Sequence, residues 1–407
     1  MKIKLLFFLL FFLLTVFTFA QQAEQTEQAQ KLEYNYIVGS KYKIVSEVDE
    51  NVFLDGIYSH NAKMLNKISV EVAESDAESG SGLMRATLEL SEKITGIYST
   101  YEVTEKYEST YRQDKFGATT VDKQYFIPMA RNIPAFPDYP LNPGDKWSIK
   151  GEEVHDFRKG FNIAEPYAFP VAVDYQYLGK DETGLYDVIK IEYKVDHETD
   201  LPVKKENYFH ISRISGSTRQ IMKWDNEKGH AYSYNEEFIF EFELLSGDSM
   251  TFTGTAKGEV IEAEGFDKDQ IAEEVEEALK DIEDVHVEKT DEGIKITMED
   301  IQFLPDSAIL AKEEDKKLAK IIEILKNNPN RELLIIGHTA LAGSAEGRKT
   351  ISTQRAKAIA EYILAAGART EKQIMIQGKG ADEPVATNAT AEGRKKNRRV
   401  EIIILEN

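Results

Sequence analysis

The sequence has 407 residues, 42% of them hydrophobic and 10% aromatic, which indicates folded protein with room for two or three domains. Because it contains no cysteine, it excludes disulfides, a thiol nucleophile, cysteine-based metal sites and a lipid-modified cysteine. The net charge is −21 and the excess of acid lies in residues 21–294, which disfavours nucleic acid as a partner.

The first twenty residues are typical of an export signal. Lys2 and Lys4 precede an apolar run, and the run ends at Thr18-Phe19-Ala20, a plausible cleavage site. We therefore predict a signal peptide at residues 1–20, with an uncleaved N-terminal anchor as the alternative. No later segment has the length and apolarity of a membrane-spanning helix, so the cleaved protein is expected to be exported and soluble.

Residues 21–33 are polar and low in complexity, which predicts a disordered tether. Residues 34–265 predict a β-rich antiparallel body, because apolar and polar residues alternate along segments such as Val188–Tyr193. A sandwich, an open barrel or a pair of β subdomains would all fit this pattern. Prolines concentrated near residues 128–147 predict a crossing loop there and a possible split between subdomains. The turn Pro143-Gly144-Asp145 is expected to lead into a strand with a buried Trp147.

Residues 266–294 predict a short helix-strand connector. Asp267 is a suitable N-cap, and the apolar residues that follow lie on one helical face. These are Ile271, Val275, Leu279 and Ile282. Two short strands are expected next, near Val285–Val287 and Ile294–Met298.

Residues 295–407 predict an α/β domain with the order β-α-β-α-β-β and a mixed sheet, which makes the whole chain an α+β multidomain protein. The first helix presents Leu318, Ile321, Ile322 and Leu325 on one face, and Leu333–Gly337 is an apolar, buried strand. Ser352 is expected to cap a second helix that ends at Gly367. Ile374–Gln377 and Val400–Leu405 supply the last two strands.

Three motifs in this domain follow one another in a fixed order. They are Gly337-His338-Thr339-Ala340, Ser352-Thr353-Gln354-Arg355-Ala356, and Glu392 to Glu401 with its Asn397-Arg398-Arg399-Val400 core. Together they resemble the C-terminal domain of OmpA-like proteins, a family that binds the stem peptide of peptidoglycan. The resemblance covers about residues 295–407. It departs from the family at Ala340, where the family usually has Asp, and at Arg348, where it often has Asn.

The residues also suggest how an acid could be held. If Ser352 caps the helix, Arg355 lies in its first turn, beside free N–H groups and the positive end of the helix dipole. An arginine there suits a carboxylate. The resemblance implies the same role for Arg355, and it implies that the Asp missing at Ala340 would hold the amine of the ligand.

Three hypotheses follow from Ala340. The wall ligand has a different third residue and needs no Asp, or Glu346 in the same loop replaces the Asp, or the domain keeps the fold without binding the wall. The resemblance also places other residues at the site, namely His338, Thr339, Asn397, Arg398 and Arg348. Of the two adjacent arginines, strand alternation allows one to face the site, and we predict Arg398.

We predict no enzyme, metal or cofactor. The seven histidines show no metal-binding spacing, and no Gly-x-Ser-x-Gly nucleophile motif is present. The predicted partner is peptidoglycan, with an atypical stem peptide as one form of it, or else an envelope protein that docks to the OmpA-like module. A carrier of an apolar molecule within the β-rich body is a further hypothesis, which rests on its aromatic strands.

Overall fold

Two bodies make up the part of the chain that the structure, a computed structural model, describes. The described residues are 29–158, 163–201, 210–262, 266–301, 303, 310–311 and 314–406. The predicted signal peptide and most of the predicted tether lie outside them. Within them, no helix combines the length and the apolarity needed to cross a bilayer.

Alternating apolar and polar residues form the strands of the N-terminal body, twelve of them within the described residues. Their bounds are β1 Lys41–Leu54, β2 Ile57–Asp76, β3 Ser81–Ile94, β4 Thr100–Asp114, β5 Thr119–Val121, β6 Ala130–Arg131, β7 Lys146–His155, β8 Tyr167–Lys180, β9 Asp187–Glu198, β10 Ile211–Asp225, β11 His230–Leu244 and β12 Ser249–Glu262. They pair antiparallel in the order β5-β4-β3-β2-β1-β12-β11-β10-β9-β8-β7-β6.

One continuous sheet therefore forms the N-terminal body. β1 pairs with β12 from Tyr42 to Leu54, so the strands before and after the proline-rich segment belong to the same sheet. That segment crosses between the two ends of the sheet, as the prolines predict. It is anchored at Ala135, whose carbonyl accepts the indole N–H of Trp147 at 2.9 Å. Trp147 is buried, and a turn at Gly144 leads into its strand, which confirms both expectations.

The predicted tether was too long at its C-terminal end. Leu32 is 1% exposed and belongs to the main core of the N-terminal body. Gln30 exchanges two backbone hydrogen bonds with Leu141, each 2.8 Å long. Burial of the Leu32 side chain in the core fixes residues 30–33 in place, although most of the residues around Leu32 are polar.

The C-terminal body is a mixed sheet with helices against one face. Its elements are α1 Lys268–Leu279, β13 Val285–Lys289, β14 Gly293–Glu299, α2 Asp315–Asn327, β15 Leu333–Gly337, α3 Ala345–Ala365, β16 Ile374–Gly378, α4 Ala391–Asn397 and β17 Arg399–Leu405. The strand order is β13-β14-β17-β15-β16, with β15 and β16 parallel and the other pairs antiparallel. α1 and β13 share the core of α2 and α3, so residues 266–294 pack as part of this body.

Most element positions in this body match the sequence prediction, with two corrections. The second helix does not begin at Ser352: α3 begins at Ala345, because the Ser344 hydroxyl accepts the N–H of Gly347 at 3.1 Å and caps it there. Glu346 consequently lies in the first helical turn rather than in a loop. The short helix α4, which Thr390 caps through the N–H of Gly393, was not predicted.

The second face of the C-terminal sheet packs against the N-terminal body. β16 pairs in parallel with β4 through Met375–Tyr101 and Ile376–Glu102. Val103 of β4 lies in one apolar cluster with residues of the C-terminal sheet, namely Leu334, Ile336, Met375 and Ile403. This contact covers a sheet edge that would otherwise present free N–H and C=O groups.

A buried cluster of three charges joins the two bodies beside this apolar contact. Glu332 accepts Lys43 at 2.7 Å and Lys67 at 2.8 Å, and Lys67 is 2% exposed. Burial lowers the pKa of Lys67. Burial alone would raise the pKa of Glu332, but Lys67 and Lys43 outweigh it and hold that pKa below its ordinary value. Each charge in the cluster therefore depends on the others.

We expect the substitution Glu332→Ala to lower the free energy of unfolding by about 3–5 kcal/mol, because it leaves two buried ammonium groups without a counter-ion. Urea unfolding at neutral pH measures it. The matched control is Glu323→Ala, which removes an exposed ion pair with Lys320 and should cost at most about 0.5 kcal/mol. Equal losses in the two variants would contradict the role of the cluster.

Candidate functional site

The predicted site residues gather where β15 and β16 end against α3. Two glycines allow this close approach. A Cβ on Gly337 would overlap the carbonyl oxygen of Ser352, and a Cβ on Gly378 would overlap the hydroxyl of Thr353. The ends of both strands therefore lie directly on the middle of the helix.

Ser352 has a different role from the predicted one. It is fully buried in the middle of α3, donates to the carbonyl of Lys349 at 2.8 Å and accepts the N–H of Gly380 at 2.9 Å. The predicted N-cap is wrong because Ser344, eight residues earlier, caps the helix. Arg355 therefore lies eleven residues beyond the cap, roughly 16 Å along the axis, where the helix dipole no longer acts.

Arg355 is a half-buried cation without a counter-ion among the described residues. Its guanidinium carbon lies 5.0 Å from the ring centroid of Phe303, a cation–π contact. Its Nε is buried and has no hydrogen-bond partner. Burial, and secondly the positive charge of Arg398, lower the pKa of Arg355. An anion bound here would relieve both effects.

Arg398 and Arg399, the two adjacent arginines of the last motif, lie in different surroundings. Arg398 is half-exposed and close enough to Arg355 to affect its pKa, and it pairs with Asp300 at 3.0 Å. Arg399 is 4% exposed and donates from Nε to Glu401 at 2.8 Å. The charge of Arg398 therefore acts on Arg355, whereas Arg399 is paired with Glu401.

Arg348 lies on the same face of α3 as Arg355. The two are seven residues apart, which is close to two full turns. Arg348 Nη1 donates to the carbonyl of Gly343 at 2.6 Å and so holds the loop before the helix. Its buried Nε, like that of Arg355, has no hydrogen-bond partner. The face therefore carries two guanidinium groups with unused donors.

His338 and Thr339 directly follow β15, whose last residue, Gly337, lies against Ser352 of α3. His338 is 1% exposed, with Nε2 3.6 Å from the carboxylate of Glu401. The backbone N–H of Thr339 donates to Gly380 at 2.7 Å, while its buried hydroxyl has no partner. Burial raises the pKa of Glu401, but His338 and Arg399 outweigh burial and lower that pKa to about 2.

Asn397 organises the loop between β16 and α4. Its side-chain oxygen accepts the N–H groups of Val385 and Ala386 at 2.9 and 3.0 Å. Its amide donates to the side chain of Asn388 at 3.0 Å, and Asn388 accepts the N–H of Leu341. Asn397 is 1% exposed, so its contacts position the site rather than reach solvent.

The position of the missing Asp is closed by a small apolar residue. Ala340 is 7% exposed. Glu346, the proposed replacement, is exposed and lies nine residues before Arg355, which places the two side chains on opposite faces of α3. The geometry therefore does not support Glu346 as a companion to Arg355.

Sequence reasoning missed three residues that shape the site. Phe303 lies near the predicted first strand and gave no signal of its contact with Arg355. Asn388 belongs to a loop that no motif identified. Glu401 was part of the last motif, and a carboxylate two residues after an arginine on a buried strand could have indicated the pair. The described residues contain no group of three or more His, Asp or Glu side chains placed to hold a metal.

Comparison with known families identifies the C-terminal part of the chain. Residues 302–398 match the model of the OmpA family. This segment is an OmpA family domain. The match covers a minority of the 407 residues and does not reach the N-terminal body.

Curated relatives match over the same fraction of the chain. The peptidoglycan-binding protein ArfA of Mycobacterium tuberculosis is 39% identical over 104 residues, 26% of this chain and 32% of ArfA. Motility protein B of Bacillus subtilis is 34% identical over 145 residues, 34% of this chain and 56% of that protein. The probable lipoprotein YiaD of Escherichia coli is 32% identical over 121 residues, 30% of this chain and 55% of YiaD. The chain thus spans between a third and just over half of these relatives, and none of their names denotes an enzyme.

Solved structures match over a similar share. An outer membrane protein of Borrelia burgdorferi is 33% identical and covers 30% of this chain and 96% of its own, with a TM-score of 0.25. The cell wall anchor of the T6SS from Pseudomonas aeruginosa is 27% identical and covers 33% of this chain and 96% of its own, with a TM-score of 0.30.

We expect Glu401→Gln to lower the free energy of unfolding at pH 7 by about 3 kcal/mol, because it leaves Arg399 buried without a counter-ion. The folded pKa of Glu401 is about 2 against an ordinary value of 4.5. Its stabilisation is therefore present above pH 4.5 and is lost as the pH falls towards 2.

Urea unfolding of the wild type and the variant at several pH values tests this expectation. The two curves should converge on acidification below pH 4.5. Glu392→Gln, an exposed acid in the first turn of α4, is the control and should leave the curve unchanged. A Glu401→Gln difference that is constant with pH would contradict the pairing.

Proposed function

We propose that the protein is an exported, non-enzymatic envelope protein that attaches through its OmpA family domain to carboxylates of peptidoglycan stem peptides. The observation that carries this proposal is Arg355, which is half-buried, has no counter-ion among the described residues and has its pKa lowered further by the charge of Arg398. The name of ArfA, a peptidoglycan-binding protein, supports the class of ligand.

The chemistry at Arg355 suits an acid. A guanidinium group offers donors in a planar fork that matches the two oxygens of a carboxylate. Phe303 lies against the guanidinium and limits its rotation. Arg348 and Arg398 add positive charge at the edges of the same surface. A stem peptide carboxylate would supply the hydrogen bonds that the buried Nε atoms lack.

Ala340 gives this site a different ligand preference from a site with the family's usual Asp at that position. It cannot accept a hydrogen bond from an ammonium group, and a charge-assisted bond of that kind is worth about 1.5–3 kcal/mol. Its loss corresponds to roughly one to two decades in affinity for a diamino acid. We therefore propose that the site selects the acid of its ligand and makes little use of the amine, which would suit an atypical stem peptide.

The location follows from the export signal predicted at residues 1–20. A periplasmic location suits a wall-binding domain. The sequence contains no cysteine that could carry a lipid. The acidic N-terminal body would then be held at the wall by its C-terminal domain.

We expect Arg355→Ala to weaken binding to purified peptidoglycan sacculi at least tenfold, since it removes the charge-assisted bonds to the carboxylate. A pull-down with quantified retention measures this. The control is Arg219→Ala, which removes an exposed arginine of β10 in the N-terminal body. Equal retention of Arg355→Ala and wild type would contradict the site.

We expect Ala340→Asp to raise affinity about tenfold for sacculi whose stem peptides carry a diamino acid with both an amine and an acid. The substitution restores the acceptor for the amine. Ala342→Asp, in an exposed position of the same loop, is the matched control. Equal gains in both variants would show a general effect of charge rather than a specific contact.

A second candidate function is a protein scaffold whose OmpA family domain no longer binds the wall. The observation in its favour is the extensive contact of this domain with the N-terminal body through β4, β16 and Glu332. Sacculus binding that is absent in the wild type and appears in Ala340→Asp would favour this candidate.

A further inference from the structure

The curved sheet of the N-terminal body encloses a cavity of about 310 Å³. Its walls come from both halves of the sheet and from the proline-rich crossing segment. Apolar side chains dominate them, for example Ile44, Ile68, Val70, Ile191, Met222 and Trp224. The volume lies at the lower end of the range for small-molecule sites, about 300–1,000 Å³. The cavity is separate from the wall-binding site, which lies in the other body.

A carboxylate lies on the wall of this apolar space. Glu236 lines the cavity and accepts the hydroxyl of Thr218 at 2.5 Å. Burial raises the pKa of Glu236, hydrogen bonds from Thr218 and Gln220 act in the opposite direction, and no cation among the described residues contributes. A carboxylate in such a place is costly when it is charged and unpaired.

A second acid lies close behind it. The Tyr193 hydroxyl, which lines the cavity, donates to Glu153. Burial raises the pKa of Glu153 to about 7, an effect that Tyr193 opposes and the charge of Glu236 reinforces. His155 Nε2 lies 3.7 Å from the Glu153 carboxylate, and burial lowers the pKa of His155 to about 4, so the imidazole is neutral at pH 7. Two buried acids, Glu236 and Glu153, thus lie on one side of the cavity, and neither has a charged counter-ion among the described residues.

An unused donor completes the polar lining. Trp224 is 1% exposed, lines the cavity, and its indole N–H has no hydrogen-bond partner. The rings of Tyr34 and Phe136 pack against it edge to face, with centroids 4.8 and 4.7 Å away, and fix its position. A buried donor and a buried acid without a cation are the kind of groups that a bound ligand would satisfy.

We infer that the N-terminal body binds a small apolar molecule that carries an amine, with Glu236 as the counter-ion of the amine. The apolar walls bury the body of the ligand, and its ammonium group neutralises the carboxylate. The alternative is that Glu236 is protonated and the cavity binds no ligand. That alternative predicts no preference for amines, which makes the two distinguishable.

The experiment uses the full chain and the uncharged fluorescent probe N-phenylnaphthylamine. Saturable enhancement of the fluorescence reports occupancy of the cavity. Phenylbutylamine and phenylbutanol then compete with the probe. They differ in one functional group, so we expect the amine to displace the probe at a concentration at least tenfold lower than the alcohol.

Three variants locate the effect. Glu236→Gln should bind the probe as the wild type does but lose the amine preference to within about twofold, because the counter-ion is gone. Glu237→Gln, on the outer face of the same strand, should keep the preference. Ala86→Phe fills the cavity and should abolish the probe signal while thermal unfolding shows a folded protein.

Each result decides for or against the inference. Absence of saturable probe binding in the wild type would overturn it, as would an unchanged amine preference in Glu236→Gln. If Ala86→Phe is poorly folded, Val260→Phe, a substitution in β12 that also lines the cavity, takes its place. No sacculi are present, so failure here leaves the wall-attachment proposal unaffected.

Discussion

The fold depends on a central sheet that is buried on both faces. All residues of Leu333–Gly337 are buried, and so are six of the seven in Arg399–Leu405. The helices cover one face, and the N-terminal body covers the other through Val103 and the Glu332 cluster. Strands with this pattern need cover on both sides, and here the second cover comes from the other body of the chain. The two bodies therefore form a single packed unit.

This packing also orients the candidate site. Thr353 and Lys357 contact the N-terminal body, through Glu102 at 2.9 Å and the carbonyl of Thr95 at 3.1 Å. Arg355 lies two residues after Thr353, about 200° around the helix, and so faces away from that body. One face of α3 thus contacts the N-terminal body, and the opposite face carries the candidate site. The candidate site has several guanidinium groups and an alanine where the family usually has an acid, and the proposed preference for the carboxylate of a ligand rests on this combination.

The sequence predicted the elements better than their contacts. A wholly apolar five-residue run and single-faced helices gave β15, α2 and the inner face of α3, because burial imposes those periodicities. The start of α3 was missed because a serine inside a helix carries the same local signal as a serine at its cap. The close approach of Gly337 and Gly378 to Ser352 and Thr353 is a tertiary contact, and it places Ser352 inside the helix. The β4–β16 pairing and the cavity at Glu236 depend on sheet curvature and on contacts between distant segments, which periodicity does not encode.

The two faces of α3 have a mechanical consequence. If the protein is held at the wall through Arg355, tension on the N-terminal body passes along α3 and across the β4–β16 junction. The paired segment there spans only Tyr101 and Glu102, so backbone bonds alone form a narrow connection. Glu332, with its two lysines, and the apolar cluster at Val103 share that load at separate points. Under the proposed attachment, the load that the chain can carry is therefore limited by this internal junction as well as by the contact with the ligand.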